Sequence, residues 1–189
     1  LNGSLRITEP AVLSAFVAKT NVTCNGANDG TITISSPTGG YGTYEYSING
    51  AAGPWQSSGS FPNLAPATYN VVIRDKVQTA CMITLNGALA ITAPAVMTAT
   101  VTPTNVTCNG ANDGIITITS PAGGYGTYQY SINGTTWQGS GTFTNLAPAS
   151  YTVRIRDAAN TACVVIPGTI NITQPPALNA TLARTNITC

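Results

Sequence analysis

Apolar residues in this chain return at every second position, in short runs broken by glycine, proline and asparagine. Leu13, Ala15 and Val17 form one such run, with Ser14 and Phe16 between them. Ile32 and Ile34 form another, then Tyr44, Tyr46 and Ile48, then Tyr69, Val71 and Ile73. A period of two with one apolar face is the pattern of a half-buried strand. No stretch shows a helical period. The runs are short and regularly punctuated, which predicts six to eight strands in about 80 residues and an antiparallel β-sandwich.

The pattern then starts again. TNVTCNGANDG at residues 20–30 returns letter for letter at 104–114, and TNITC closes the sequence at 185–189. Between Thr20–Gly50 and Thr104–Gly134 the two copies differ at four positions. Trp55 recurs as Trp137, Asp75 as Asp157 and Cys81 as Cys163, each 82 residues on. That period exceeds the 20–45 residues of a stacked solenoid unit and suits a small self-contained domain. The expected organisation has four parts. Residues 1–9 are the last strand of a preceding repeat, 10–93 and 94–174 are two β-sandwich repeats, and 175–189 is the first strand of a following one. Copies meet at ITEP, ITAP and ITQPP without a flexible linker. Pro10, Pro94 and Pro175 restrict the backbone there, which favours stiff joints.

Comparing the copies sorts core from surface. Leu13, Ala15 and Val17 match Met97, Ala99 and Val101, and then Leu178, Ala180 and Leu182, so these positions stay apolar. Val72 becomes Arg154, which predicts a solvent-facing side for the late strand. Asn49-Gly50 predicts a type I′ hairpin returning through Trp55. NLAPATY and NLAPASY place Tyr69 and Tyr151 at a strand start, as in the tyrosine corner of immunoglobulin-like and fibronectin-like sandwiches.

Composition narrows the function classes. Charged residues make up 7% of the 189, the net charge is +1 and there is no histidine. An average soluble domain is about 25% charged. The seven Lys and Arg are scattered, so no basic patch points to nucleic acid. No run of 18 apolar residues predicts a membrane span. The N-terminal letters show no signal-peptide pattern, so the sequence reads as a mature or excised stretch of a longer array.

Five cysteines follow the repeat: Cys24 and Cys81 in the first copy, Cys108 and Cys163 in the second, and Cys189 at the start of a third. The expected disulfides are Cys24–Cys81 and Cys108–Cys163, each closing a loop worth about 4 kcal/mol in the chain-entropy model. Cys189 is then unpaired by truncation. Disulfides imply an oxidising, extracellular setting. Without histidine, neither a zinc site nor a base for a cysteine nucleophile is expected.

Other chemistry is thin. Of the carboxylates only Asp29/Asp113 and Asp75/Asp157 repeat, and no cleft-forming insertion accompanies them, so no catalysis and no cofactor are expected. Asn25, Asn28 and Asp29 offer oxygen ligands for calcium, but turn chemistry explains them as well, and no metal is expected. Tyr41, Tyr44 and Trp55, with Tyr125, Tyr128 and Trp137 in the second copy, are candidate glycan-binding aromatics. NVT at 21 and 105 and NIT at 171 and 186 match the N-glycan acceptor triplet.

The order ITxP, TNVTCNGANDG, TITIS, GGYGTYEYSING, Trp, NLAPATY, VVIRD and Cys resembles the SprB-type repeat of large surface adhesins in gliding Bacteroidetes bacteria. The resemblance implies an exported cell-surface protein, carried by type IX secretion and displayed as a filament used in gliding motility. Its expected role is a structural stalk whose partners are neighbouring repeats of the same chain, with lateral fibre contacts. The alternative is a repeated glycan-binding sandwich acting on surface glycans by avidity.

Overall fold

The computed structural model describes residues 7–187. The chain divides into two compact units, Leu1–Pro94 and Ala95–Cys189. The first contains β1 (Ser14–Thr20), β2 (Gly30–Thr38), β3 (Tyr44–Ser47), β4 (Ser60–Leu64), β5 (Ala67–Asp75) and β6 (Met82–Ile91). The second contains β7 (Thr98–Thr104), β8 (Gly114–Ala122), β9 (Tyr128–Ser131), β10 (Thr142–Leu146), β11 (Ala149–Asp157) and β12 (Val164–Ile172). All described strand pairs are antiparallel apart from a single parallel bridge, Asn49 to Asn70.

In the first unit one sheet runs β1-β2-β4 and the other β3-β5-β6. The second unit repeats this as β7-β8-β10 and β9-β11-β12. Each unit is therefore an all-β antiparallel sandwich of three strands over three. A constant-type immunoglobulin sandwich has four strands over three.

The alternating residues build each core. Ile32 and Ile34 of β2 meet Tyr46 of β3, Val71 and Ile73 of β5, and Ile91 of β6, with Leu13 and Val22 closing the ends. Ile116, Ile118, Tyr130, Val153, Ile155 and Ile172 do the same in the second unit. Burying each such isoleucine contributes about 1.5–3 kcal/mol. Gly30 opens β2 because nothing larger fits: a Cβ there would lie 2.8 Å from Ile91 Cγ2 and 2.9 Å from the Leu64 carbonyl oxygen.

Tyr69 donates its hydroxyl to the Ala65 carbonyl at 2.8 Å, and Tyr151 donates to Ala147 at 3.0 Å. The corner expected from NLAPATY is formed in both units.

Two local expectations are corrected. Asn49 has φ −114° and Gly50 begins a short 3-10 turn, Gly50–Ala52, so this is no type I′ hairpin. β3 pairs with β5 instead, and only Gln56 bridges back to Tyr46. Val72 is 2% exposed rather than solvent-facing. The Gly50–Ala52 turn packs over β5 and β6 on that side. In the second unit Arg154 takes the position, and its Nε is buried without a hydrogen-bond partner.

Residues 7–13 form no strand, and residues 1–6 of the expected leading segment lie outside the described residues. Residues 175–187 form none either, and Leu178 and Leu182 are fully exposed.

Candidate functional site

Each unit has an entry pole, where the chain comes in ahead of its first strand, and an exit pole, where it leaves its last. The entry pole of the first unit is organised by Asp75, a fully buried carboxylate at the end of β5. Its Oδ2 accepts the Tyr41 N–H at 2.5 Å, and its Oδ1 accepts the N–H groups of Val77 at 2.8 Å and Gln78 at 3.0 Å. Those donors, Tyr41 first, hold its carboxyl below the ordinary carboxylate range. The Asp75 N–H donates to the Cys81 carbonyl at 2.9 Å, and Gly40 donates to Ala11 at 2.8 Å. One carboxylate thus ties the GGYG loop to the turn before β6, beside the incoming chain. Gly40 sits at φ +57° with a Cβ position 2.5 Å from Asp75 Oδ2, so only glycine suits it. Asp157 plays the same part, accepting the N–H groups of Tyr125 at 2.5 Å and Ala159 at 2.8 Å.

The exit pole is built by TNVTCNGANDG, which explains why those letters recur intact. Val22 N–H donates to the Thr92 carbonyl at 3.2 Å, and the Asn21 side-chain oxygen accepts the Thr92 N–H at 3.1 Å. Asn25 Nδ2 donates to the Pro94 carbonyl at 3.0 Å. Asp29 steadies the loop by accepting the Thr23 hydroxyl and the Thr23 N–H, which lower its pKa in that order. The second unit repeats the clamp with Val106 and Asn105 on Thr173, Asn109 on Pro175, and Asp113 on Thr107. Asp113 is shifted down for the same reason, the Thr107 hydroxyl first. Asn21 and Asn105, two of the four asparagines in N-glycan acceptor triplets, spend their side-chain oxygens here. The calcium candidates Asn25 and Asp29 serve this clamp. Among the described residues no three His, Cys, Asp or Glu cluster to hold a metal.

The cysteines overturn the expected pairing. Cys81 and Cys108 are free thiols, whereas Cys24 and Cys163 are disulfide-bonded. Neither Cys24–Cys81 nor Cys108–Cys163 is formed. The reason is distance. Cys24 lies in the exit clamp, next to the residues that follow β6, and Cys81 immediately precedes β6. Ten extended residues span roughly 30 Å, against a Cα separation below about 7 Å in a disulfide. β12, nine residues long, separates Cys108 from Cys163 in the same way. Cys189 lies outside the described residues.

The candidate aromatics do not share a face. Tyr44 packs against the core and donates its hydroxyl to Gly39 at 2.9 Å. Trp55 lies against the other side of the sheet, with the Arg74 guanidinium 4.1 Å from its ring centre. Arg74 in turn holds Glu45 Oε2 at 2.7 Å, its register partner across β3 and β5. Trp137, Arg156 and Gln129 form the equivalent stack. Tyr128 bonds Gly123, so only Tyr41 and Tyr125, more than half exposed, present open rings. The sequence does carry a signal for the stack: Glu45 and Arg74, or Gln129 and Arg156, keep polar partners in both copies.

Among the described residues no helix is long and apolar enough to cross a membrane. The family model described as SprB repeat matches at residues 17–53 and 100–136, from the first strand of each unit through its exit clamp and third strand. No curated protein and no solved structure matches the chain.

Proposed function

Because the chain carries two SprB repeats, which are repeats of cell-surface adhesins, we propose that it is a non-catalytic stalk segment of such an adhesin. Its work is to supply length and stiffness outside the cell, on a protein exported by the type IX route and used in attachment or gliding. The observation that carries this reading is the placement of entry and exit at opposite poles of each unit, with the last strand running between them. A repeat built that way advances the chain by about one strand length, roughly 30 Å. Number of repeats then sets reach. Lateral contacts between such fibres fit a surface with so few charges. Small-angle scattering on arrays lengthened one 82-residue repeat at a time tests it. The maximum dimension should rise linearly by about 30 Å or more per repeat; a dimension that grows only as the cube root of mass refutes the stalk. The glycan-binding alternative gains little, since the Trp55 and Trp137 rings are stacked on arginine and Tyr44 and Tyr128 serve the core.

A further inference from the structure

We propose that the second unit carries an oxyanion site that the first unit lacks. The guanidinium groups of Arg154 and Arg156, on the outer face of β11, take a carboxylate supplied from outside the unit. This goes beyond the stalk reading, which asks nothing of these residues, and stands or falls apart from it.

Strand register puts the two arginines together. β11 buries Val153, Ile155 and Asp157, so Arg154 and Arg156 share the opposite face, two residues and about 7 Å apart along the strand. Across β9 they face Ser131 and Gln129. Both lie against the chain that follows β9. Arg156 covers the Trp137 ring, 4.3 Å from its centre. Arg154 lies over Gly134, where a Cβ would collide with its Nη1.

The first unit shows what such a site holds. There Arg74, the counterpart of Arg156, has a carboxylate of its own: Glu45 Oε2 accepts from Nη2 at 2.7 Å and from Nε at 3.0 Å. The second unit changes two positions on this face. Glu45 becomes Gln129, which is neutral and accepts from Arg156 Nε at 2.8 Å. Val72 becomes Arg154, an added cation whose Nε is buried without a hydrogen-bond partner. One carboxylate has gone and one guanidinium has come. The only side-chain carboxylates in residues 95–189 are Asp113 and Asp157. Asp113 holds Thr107 in the exit clamp, and Asp157 is buried on Tyr125 and Ala159. Neither serves the arginines.

A charged N–H kept from water without an acceptor is costly. A planar guanidinium matches the oxygens of a carboxylate, and two of them side by side favour it further. A carboxylate lodged at this pair supplies from outside what Glu45 supplies within the first unit.

The probe is sodium acetate, titrated into the whole chain with sodium chloride adjusted to constant ionic strength. NMR follows the Nε–H signals of the arginine side chains. The Arg154 and Arg156 signals should shift and saturate, with half-saturation at roughly 1–10 mM, the range open to a ligand of so few atoms. Arg74, already paired with Glu45, should stay still. Arg154→Val and Gln129→Glu install the first unit's residues at these places, and the Ile155 amide signal reports that each variant keeps its core. Each should weaken acetate binding by roughly tenfold or more, the second by placing a carboxylate of the chain itself on Arg156. Shifts that grow linearly without saturating, equal shifts at Arg74, or undiminished affinity in either variant overturn the proposal.

Discussion

Ile73 offers a direct test of whether the two cores are energetically separate. It is fully buried, opposite Tyr46 on β3 and Ile83 on β6, and belongs to the core of the first unit alone. Replacing it with alanine removes three methyl or methylene groups and leaves a cavity in the core it shares with Ile32, Val71 and Ile91, where β2 and β5 each have a paired strand on both sides. Such substitutions cost about 2–5 kcal/mol, and a fully enclosed site belongs near the middle, about 3–4. A unit of this size has about 5–13 kcal/mol of stability to lose. At 4–8 °C per kcal/mol the affected unit should melt about 12–30 °C earlier. Differential scanning calorimetry reads this directly. The parent chain, with two near-identical units, should give a single broad endotherm. Ile73→Ala should split it into two of similar area, one displaced and one unmoved, and Ile155→Ala should produce the mirror result. A single endotherm that moves as a whole in Ile73→Ala would refute separate cores.

Two further outcomes follow from the poles and corners. Asp29, Asp75 and Asp113 all have carboxyl groups held below the ordinary value of 3.8. A depressed folded-state pKa gives stability that is complete above the unfolded value and lost as pH falls through the folded one. Urea midpoints should therefore be flat above about pH 5 and fall progressively below about pH 4, more gently in Asp75→Asn than in the parent. Tyr69→Phe and Tyr151→Phe each remove one hydroxyl bond to an upstream carbonyl. Each should cost about 1 kcal/mol in urea denaturation with little change in m value.

Much of the fold was legible because the chain carries its own comparison. Positions that stay apolar between copies, Ile32 with Ile116 or Leu13 with Met97, are core residues in the structure. The tyrosine corner was legible because its chemistry is local: the acceptor lies four residues upstream. What failed was non-local. Counting cysteines per repeat says nothing of which pole each occupies, and the natural pairing by number is excluded by one strand's length. Val72 was misread because a one-residue alternation cannot register a turn folding over the outer face of a strand. Asn49-Gly50 has the letters of a tight hairpin, yet β3 finds its partner in β5, and that long-range pairing overrides the turn preference. The exit clamp was visible only as unexplained identity. Eleven letters unchanged between copies, most of them polar, meant hydrogen-bonding duties whose partners, Thr92 and Pro94, sit about 70 residues away.

The clamp has a mechanical consequence. Tension on a unit enters ahead of β1 at one pole and leaves after β6 at the other, so the load runs parallel to the strands. Pulled in that direction, the hydrogen bonds between β5 and β6 must slide and break together, in shear, instead of peeling apart singly. Asn21, Val22 and Asn25 grip the outgoing chain at Thr92 and Pro94, the point where the pull is applied, so the first event under force has to be their release.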